Sequence, residues 1–99
     1  MLESEVEKKL VQGVKKLGGL CLKWVSPGYS GVPDRIVFLP GGRVYFVELK
    51  QDRGRLSARQ KYVHKKLKEL GRTVITLYGE IDVEDHLEDW KRKMEGFYG

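Results

Sequence analysis

The sequence predicts an α/β domain whose elements run helix, three strands, helix, strand, helix around a mixed four-stranded sheet. Three observations predict it. Apolar residues recur at helical spacing near the start of the chain. Two apolar runs flank a Pro-Gly-Gly turn in the middle. A helix-like segment then separates those runs from a last β-rich stretch. A strand that follows a crossover helix should lie parallel to the strand before it, by a right-handed connection, so the sheet is mixed.

Taken in order, residues 3–17 read as an amphipathic helix, with Val6, Leu10, Val14 and Leu17 at spacings of three and four. Gly18-Gly19 ends it. Leu20 to Val25 reads as a short strand, and Ser26-Pro27-Gly28-Tyr29-Ser30-Gly31 as a loop of turn formers. Asp34 to Leu39 and Arg43 to Lys50 form a hairpin across Pro40-Gly41-Gly42. Val44-Tyr45-Phe46-Val47 is continuously apolar, as expected of a central strand buried on both faces. Gln51 to Leu56 is a basic loop. Ser57 is suited to cap a helix running to about Leu70, which Gly71 stops. Thr73 to Tyr78 is rich in β-formers, and residues 82–94 read as a last helix with Val83, Leu87, Trp90 and Met94 on one face.

A chain of 99 residues, 40% hydrophobic, has material for one modest core, so residues 1–99 are read as one domain. So small a domain gains from dimerisation. Nineteen basic residues against 14 acidic leave a net charge of +5, which favours a polyanionic partner. Cys21 is the sole cysteine, which excludes an intrachain disulfide; in Leu20-Cys21-Leu22 it reads as a core thiol. One cysteine with two separated histidines, His64 and His86, excludes the usual structural zinc sites. No signal peptide, targeting segment or membrane-length apolar run is evident, so an intracellular, reducing location and no membrane partner are expected.

The hairpin carries the chemistry. Its first strand opens on Asp34 and its second closes on Glu48-Leu49-Lys50, so antiparallel pairing brings the two carboxylates to one end of the sheet. Alternation sends Glu48 and Lys50 to one face, and Leu49 and Arg35 to directions that take no part. Two carboxylates suit a hard divalent cation, Mg2+ or Mn2+, and the lysine places a positive charge beside a phosphate.

Pro33-Asp34 followed by Glu48-Leu49-Lys50 resembles the signature of the PD-(D/E)XK nucleases. The wider pattern, Gly31-Val-Pro-Asp-Arg, Gly42-Arg-Val-Tyr-Phe-Val-Glu-Leu-Lys and Gln60, resembles the VRR-NUC branch, over about Glu3 to Tyr78. That branch includes stand-alone phage and prophage proteins and the nuclease domain of a Fanconi-anaemia-associated repair enzyme. The resemblance implies a restriction-endonuclease-like three-layer core and a metal-dependent phosphodiesterase. It implies Asp34 and Glu48 as metal ligands, aided by the Leu49 carbonyl, and Lys50 as the catalytic lysine. Gln60 would position the water or the lysine, for in-line attack leaving a 3′-hydroxyl and a 5′-phosphate. Its pattern also favours a first-helix glutamate before a Leu-Val pair as a third carboxylate at the metal, which Glu7 matches best, with Glu3 second. Glu7 also borders the buried stripe, whereas Glu5 points away; all three acids could instead simply favour the helix N-terminus.

Around this centre, Arg53, Arg55, Arg59, Lys61, Lys65 and Lys66 would either grip phosphates or form a solvated helix face. Tyr29 and Ser30 would touch the substrate backbone or bridge a strand break, or else form a loose tip. Trp90, Phe97 and Tyr98 suit packing or dimer contacts.

The leading expectation is a Mg2+- or Mn2+-dependent DNA endonuclease. With no helix-turn-helix or zinc finger in the sequence, it would select branched DNA by shape rather than read a base sequence. Stand-alone proteins of this kind resemble Holliday-junction resolvases, which implies a homodimer at work in a bacterial or phage-infected cell. The alternative is a basic nucleic-acid-binding module that is non-catalytic or depends on a partner. The intact Asp, Glu and Lys favour the enzyme.

Overall fold

Val6, Leu10 and Val14 are fully buried, and they line one side of α1 (Glu3–Lys16). In this computed structural model residues 3–96 are described. Phe97 and Tyr98, and the side chain of Glu3, lie outside the described residues, and with them the readings made for those groups. Gly18 takes φ +85°, and its amide and that of Gly19 close the helix on the carbonyls of Lys15 and Val14, so the expected glycine stop is formed.

The sheet has the order β1-β2-β3-β4, from β1 (Leu20–Lys23), β2 (Arg35–Leu39), β3 (Arg43–Lys50) and β4 (Val74–Tyr78). β1/β2 and β2/β3 are antiparallel and β3/β4 is parallel. Between β3 and β4 runs α2 (Ala58–Glu69), and α3 (Gly79–Gly96) follows β4. The predicted α-β-β-β-α-β-α order and mixed sheet are therefore present.

Register assigns the two faces of the sheet. Val37, Leu39, Val47, Leu49 and Leu77 point one way and pack with α1 and with Val83 and Trp90 of α3 into the core. Trp90 stacks on Tyr45 with ring centroids 4.8 Å apart. Full burial of each such aliphatic side chain contributes roughly 1.5–3 kcal/mol, so this layer holds the fold together. Trp90 is a core residue of the chain itself.

The opposite face is less covered. It carries Leu20, Leu22, Ile36, Phe38, Val44, Phe46, Glu48 and Lys50, and α2 packs over its β3–β4 side, against β4 and, through Gln60 and His64, against Glu48. Burial of β3 on both faces, expected from its apolar run, is thus met at Val47 to Leu49, while Val44, Tyr45 and Phe46 keep partial exposure.

Two boundaries differ from expectation. β1 ends at Lys23 rather than Val25. α3 begins at Gly79 rather than residue 82, because Gly79 turns the chain directly out of β4 with φ +78°. The Asp82 carboxylate then reaches back to the Tyr78 amide at 2.8 Å. Asp82 thus acts from inside the first turn of α3. Among the described residues no helix is long and apolar enough to cross a membrane.

Candidate active site

Among the described residues Glu48 is the one polar or charged residue buried with the core side chains, at 1% exposure. A carboxylate so placed needs partners to offset lost hydration. α2 supplies two of them from one helix face, four residues apart. Gln60 Nε2 donates to Glu48 Oε2 at 3.3 Å, and His64 Nε2 lies 3.2 Å from Glu48 Oε1.

The start of α2 makes this possible. Ser57 caps the helix in extended backbone, its side chain accepting from the Gln60 amide, while Gln60 Oε1 accepts from the Ser57 amide at 2.9 Å. Gln60 thus spends its carbonyl on the capping box and its amide NH2 on Glu48. Its site role, read from sequence as positioning, takes the form of holding the acid.

Asp34 enters from the other side, immediately before β2. Its Oδ2 accepts from the Leu49 amide at 2.8 Å, and its carbonyl accepts from the Trp24 amide at 3.0 Å. Oδ1 has no hydrogen-bond partner among the described residues. Lys50 shares the face of Glu48 through the β3 alternation. Burial pushes the His64 imidazole below its ordinary pKa, with the Lys50 charge adding to the effect and Asp34 opposing it. A neutral His64 with its proton on Nε2 can donate to the Glu48 carboxylate across this contact. Asp34, Glu48, Lys50, Gln60 and His64 form one cluster.

The expected third carboxylate is not brought in. Glu7 accepts from Arg35 Nε at 2.8 Å, and Arg35 also donates to the Cys21 carbonyl at 3.2 Å. Arg35 pairs with Val47 in register, so it lies on the α1 side of the sheet, away from Glu48. Among the described residues no group of three or more His, Cys, Asp or Glu side chains is gathered as a metal cage. Of the Glu7–Asp34–Glu48 set the structure brings Asp34 and Glu48 to one end of the sheet and shows Glu7 paired with Arg35.

This donor set still fits a hard divalent ion. Mg2+ is commonly bound by one or two carboxylates, with water and substrate phosphate oxygens completing its shell. Asp34 Oδ1, Glu48 and the Leu49 carbonyl are the oxygens that would hold it.

The remaining predicted groups frame the cluster. Arg53 and Arg55 are exposed on the loop between Lys50 and α2, and Lys61 is exposed on α2. Tyr29 and Ser30 belong to a loop that is docked rather than loose. Arg59 Nε donates to the Ser30 carbonyl at 3.0 Å, and its guanidinium lies 4.6 Å from the Tyr29 ring centre. Sequence reasoning missed His64 as a partner of Glu48 and the pairing of Arg35 with Glu7, while Arg35 lies outside the chemistry as expected. The spacing of Gln60 and His64 was a usable signal for the first, since residues four apart share a helix face.

No family model matches the chain. Over 75 residues it is 47% identical to "Putative nuclease p44" of Acyrthosiphon pisum secondary endosymbiont phage 1, spanning 76% of this chain and 81% of that protein. A solved structure described as a VRR_NUC domain superposes with a TM-score of 0.81 at 31% identity, covering 87% of this chain and 94% of that one. Similarity of this extent, in sequence and in fold, shows that the chain belongs to the VRR-NUC branch of the PD-(D/E)XK nucleases.

Proposed function

We propose that this chain is a Mg2+- or Mn2+-dependent DNA endonuclease that works as a homodimer and selects branched DNA by shape. The observation that carries the nuclease chemistry is the meeting of Asp34, buried Glu48 and Lys50 at one end of the sheet, with Gln60 and His64 fixing Glu48 from α2. A bound divalent ion supplies charge neutralisation at the phosphate and a more acidic water. The chain's own residues set the geometry. Asp34, Glu48 and the Leu49 carbonyl hold the cation side of the site. Lys50 places its ammonium against a non-bridging phosphate oxygen or the attacking water. Gln60 and His64 keep the Glu48 carboxylate from swinging toward solvent. Water adds to phosphorus in line, the bond to the 3′ oxygen breaks, and that oxygen takes a proton, leaving a 3′-hydroxyl and a 5′-phosphate.

The homodimer is supported by the uncovered sheet face. Leu20 at 61%, Leu22 at 48% and Phe38 at 39% exposure are neighbours in register on it, with Val25 at 69% just beyond β1. A contiguous apolar patch on a small soluble domain marks an interaction surface. A two-fold pair of sites suits a four-way junction, which is itself two-fold.

The test is cleavage of labelled four-way junction, flap and linear duplex with Mg2+, Mn2+ or EDTA, beside Lys50→Ala. Metal-dependent cutting of the junction by the wild type, abolished in Lys50→Ala with DNA binding retained, is the expected result. Cutting of flap or duplex in preference would keep the enzyme and discard the junction. Binding without cleavage under any metal would leave a nucleic-acid-binding module.

A further inference from the structure

The mechanism leaves unused an aromatic and cationic cluster on the outer side of α2. Tyr29 and Tyr62 are each 46% exposed, although they are large rings with an apolar face. The Arg59 guanidinium lies over both, 4.6 Å from the Tyr29 centroid and 5.1 Å from that of Tyr62, and Lys66 Nζ lies 5.6 Å from the Tyr62 centroid.

The cluster is preset. The loop bearing Tyr29 is pinned by the bond from Arg59 to the Ser30 carbonyl at 3.0 Å. At Gly31, with φ +90°, a Cβ would come within 2.9 Å of the Arg59 carbonyl and 3.0 Å of Val63. Only glycine lets the loop press so closely on α2. The cluster sits on the two segments that carry the reacting centre. Arg59 directly precedes Gln60, which holds Glu48, and the loop runs from Tyr29 through Gly31 to Asp34.

We propose that Tyr29 and Tyr62, bridged by Arg59, form a stacking platform for an unpaired DNA base next to the scissile phosphate, and so select DNA with a branch, flap or frayed end. The proposal rests on the nuclease reading of the site. Bases inside a duplex have both faces covered by their neighbours, so an aromatic platform selects unpaired ones. Stacking on aromatic side chains is tolerant of sequence and is reinforced by arginine. Arg59, Lys61, Lys65 and Lys66, the last also paired with Glu69 at 3.5 Å, carry the sign that attracts the phosphates on either side of such a base. A preformed platform also loses little freedom on binding.

The experiment uses flap and blunt duplex DNA, with 2-aminopurine at the unpaired positions of the flap, in EDTA so that no strand is cut. The wild type should quench the 2-aminopurine on binding. Tyr62→Leu and Tyr29→Leu should lose the quench, and the affinity for flap relative to blunt duplex should fall about 5- to 100-fold. Tyr62→Phe, which keeps the ring, should retain both, which separates stacking from damage to the fold. Equal losses on the two DNAs, no loss, or a wild type that binds without quenching would each overturn the platform. Cleavage of the same DNAs with Mg2+ or Mn2+ tests the nuclease separately. A wild type that quenches but never cuts fails the nuclease reading alone, and one that cuts flap while Tyr62→Leu behaves identically fails the platform alone.

Discussion

The Asp34 carboxylate accepts a hydrogen bond from the Leu49 amide at 2.8 Å, so the two halves of the nuclease motif are tied to each other as well as placed side by side. One carboxylate oxygen sets the geometry of β3 against the end of β2, and the other is left for chemistry. The two duties separate by substitution. Asp34→Asn keeps an acceptor for the fully buried Leu49 but loses the charge, so Tm should change little while cleavage falls by about 100-fold or more. Asp34→Ala also strands a buried amide and should cost a further ~1–3 kcal/mol of stability. Thermal melts and single-turnover cleavage on both variants check this. Wild-type cleavage by Asp34→Asn would remove Asp34 from the site.

The Glu7–Arg35 pair is partly buried, with side-chain exposures of 26% and 18%. Removing either partner should destabilise the domain, and the double substitution should cost less than the sum. A coupling of roughly 1 kcal/mol is expected, at the upper end for ion pairs that water still reaches. Cleavage by Glu7→Ala should fall by under about 10-fold, far short of the loss at Asp34. Urea titrations of Glu7→Ala, Arg35→Ala and the double variant measure the coupling. A loss of cleavage in Glu7→Ala as deep as in Asp34→Asn, with stability retained, would return Glu7 to the metal.

The reasons these residues were or were not legible from sequence are physical. Strand alternation is strict, so Glu48 and Lys50 could be assigned to one face from sequence, and the short turn at Pro40 fixed which strand end met Asp34. The apolar period of α1 likewise announced its buried side. The Glu7–Arg35 pair depends on how α1 lies across the sheet, which periodicity alone leaves open. His64 was passed over because a lone histidine on a basic helix has no local signature. Its meaning comes from Glu48, 16 residues earlier in the chain and on a different element. The early start of α3 was hidden because glycine usually ends helices, whereas Gly79 serves here as the turn that begins one.

Cys21 offers a pH-dependent readout. Burial pushes its thiol up to about 11, with the Arg35 charge opposing and Glu7 adding slightly. A raised folded-state pKa means that the neutral thiol is the form the fold prefers. The stability it contributes is complete below the ordinary value of 9.0 and is lost as pH rises through about 11, because the unfolded chain releases its proton first. Native protein should therefore alkylate with iodoacetamide much more slowly at pH 8 than urea-unfolded protein, and melts should decline between pH 9 and 11 less in Cys21→Ala than in the wild type. Equal alkylation rates in the two states would contradict the half-buried placement of Cys21.

The uncovered face of β1 and β2 gives the proposed homodimer a direct test. Leu22 and Phe38 lie on that face, half exposed, where a second copy would cover them. Complete burial of such a side chain contributes roughly 1.5–3 kcal/mol, counted once on each subunit. A lysine in its place would bring an unpaired charge into the contact. Leu22→Lys and Phe38→Lys should therefore run as monomers by light scattering at concentrations where the wild type is dimeric, with unchanged far-UV circular dichroism, since neither side chain belongs to the core packed against α1 and α3. Paired incision of a four-way junction should fall more than nicking of a flap, because only the junction requires two sites at once. A wild type that is monomeric across micromolar concentrations, or variants that stay dimeric, would place the partner surface elsewhere.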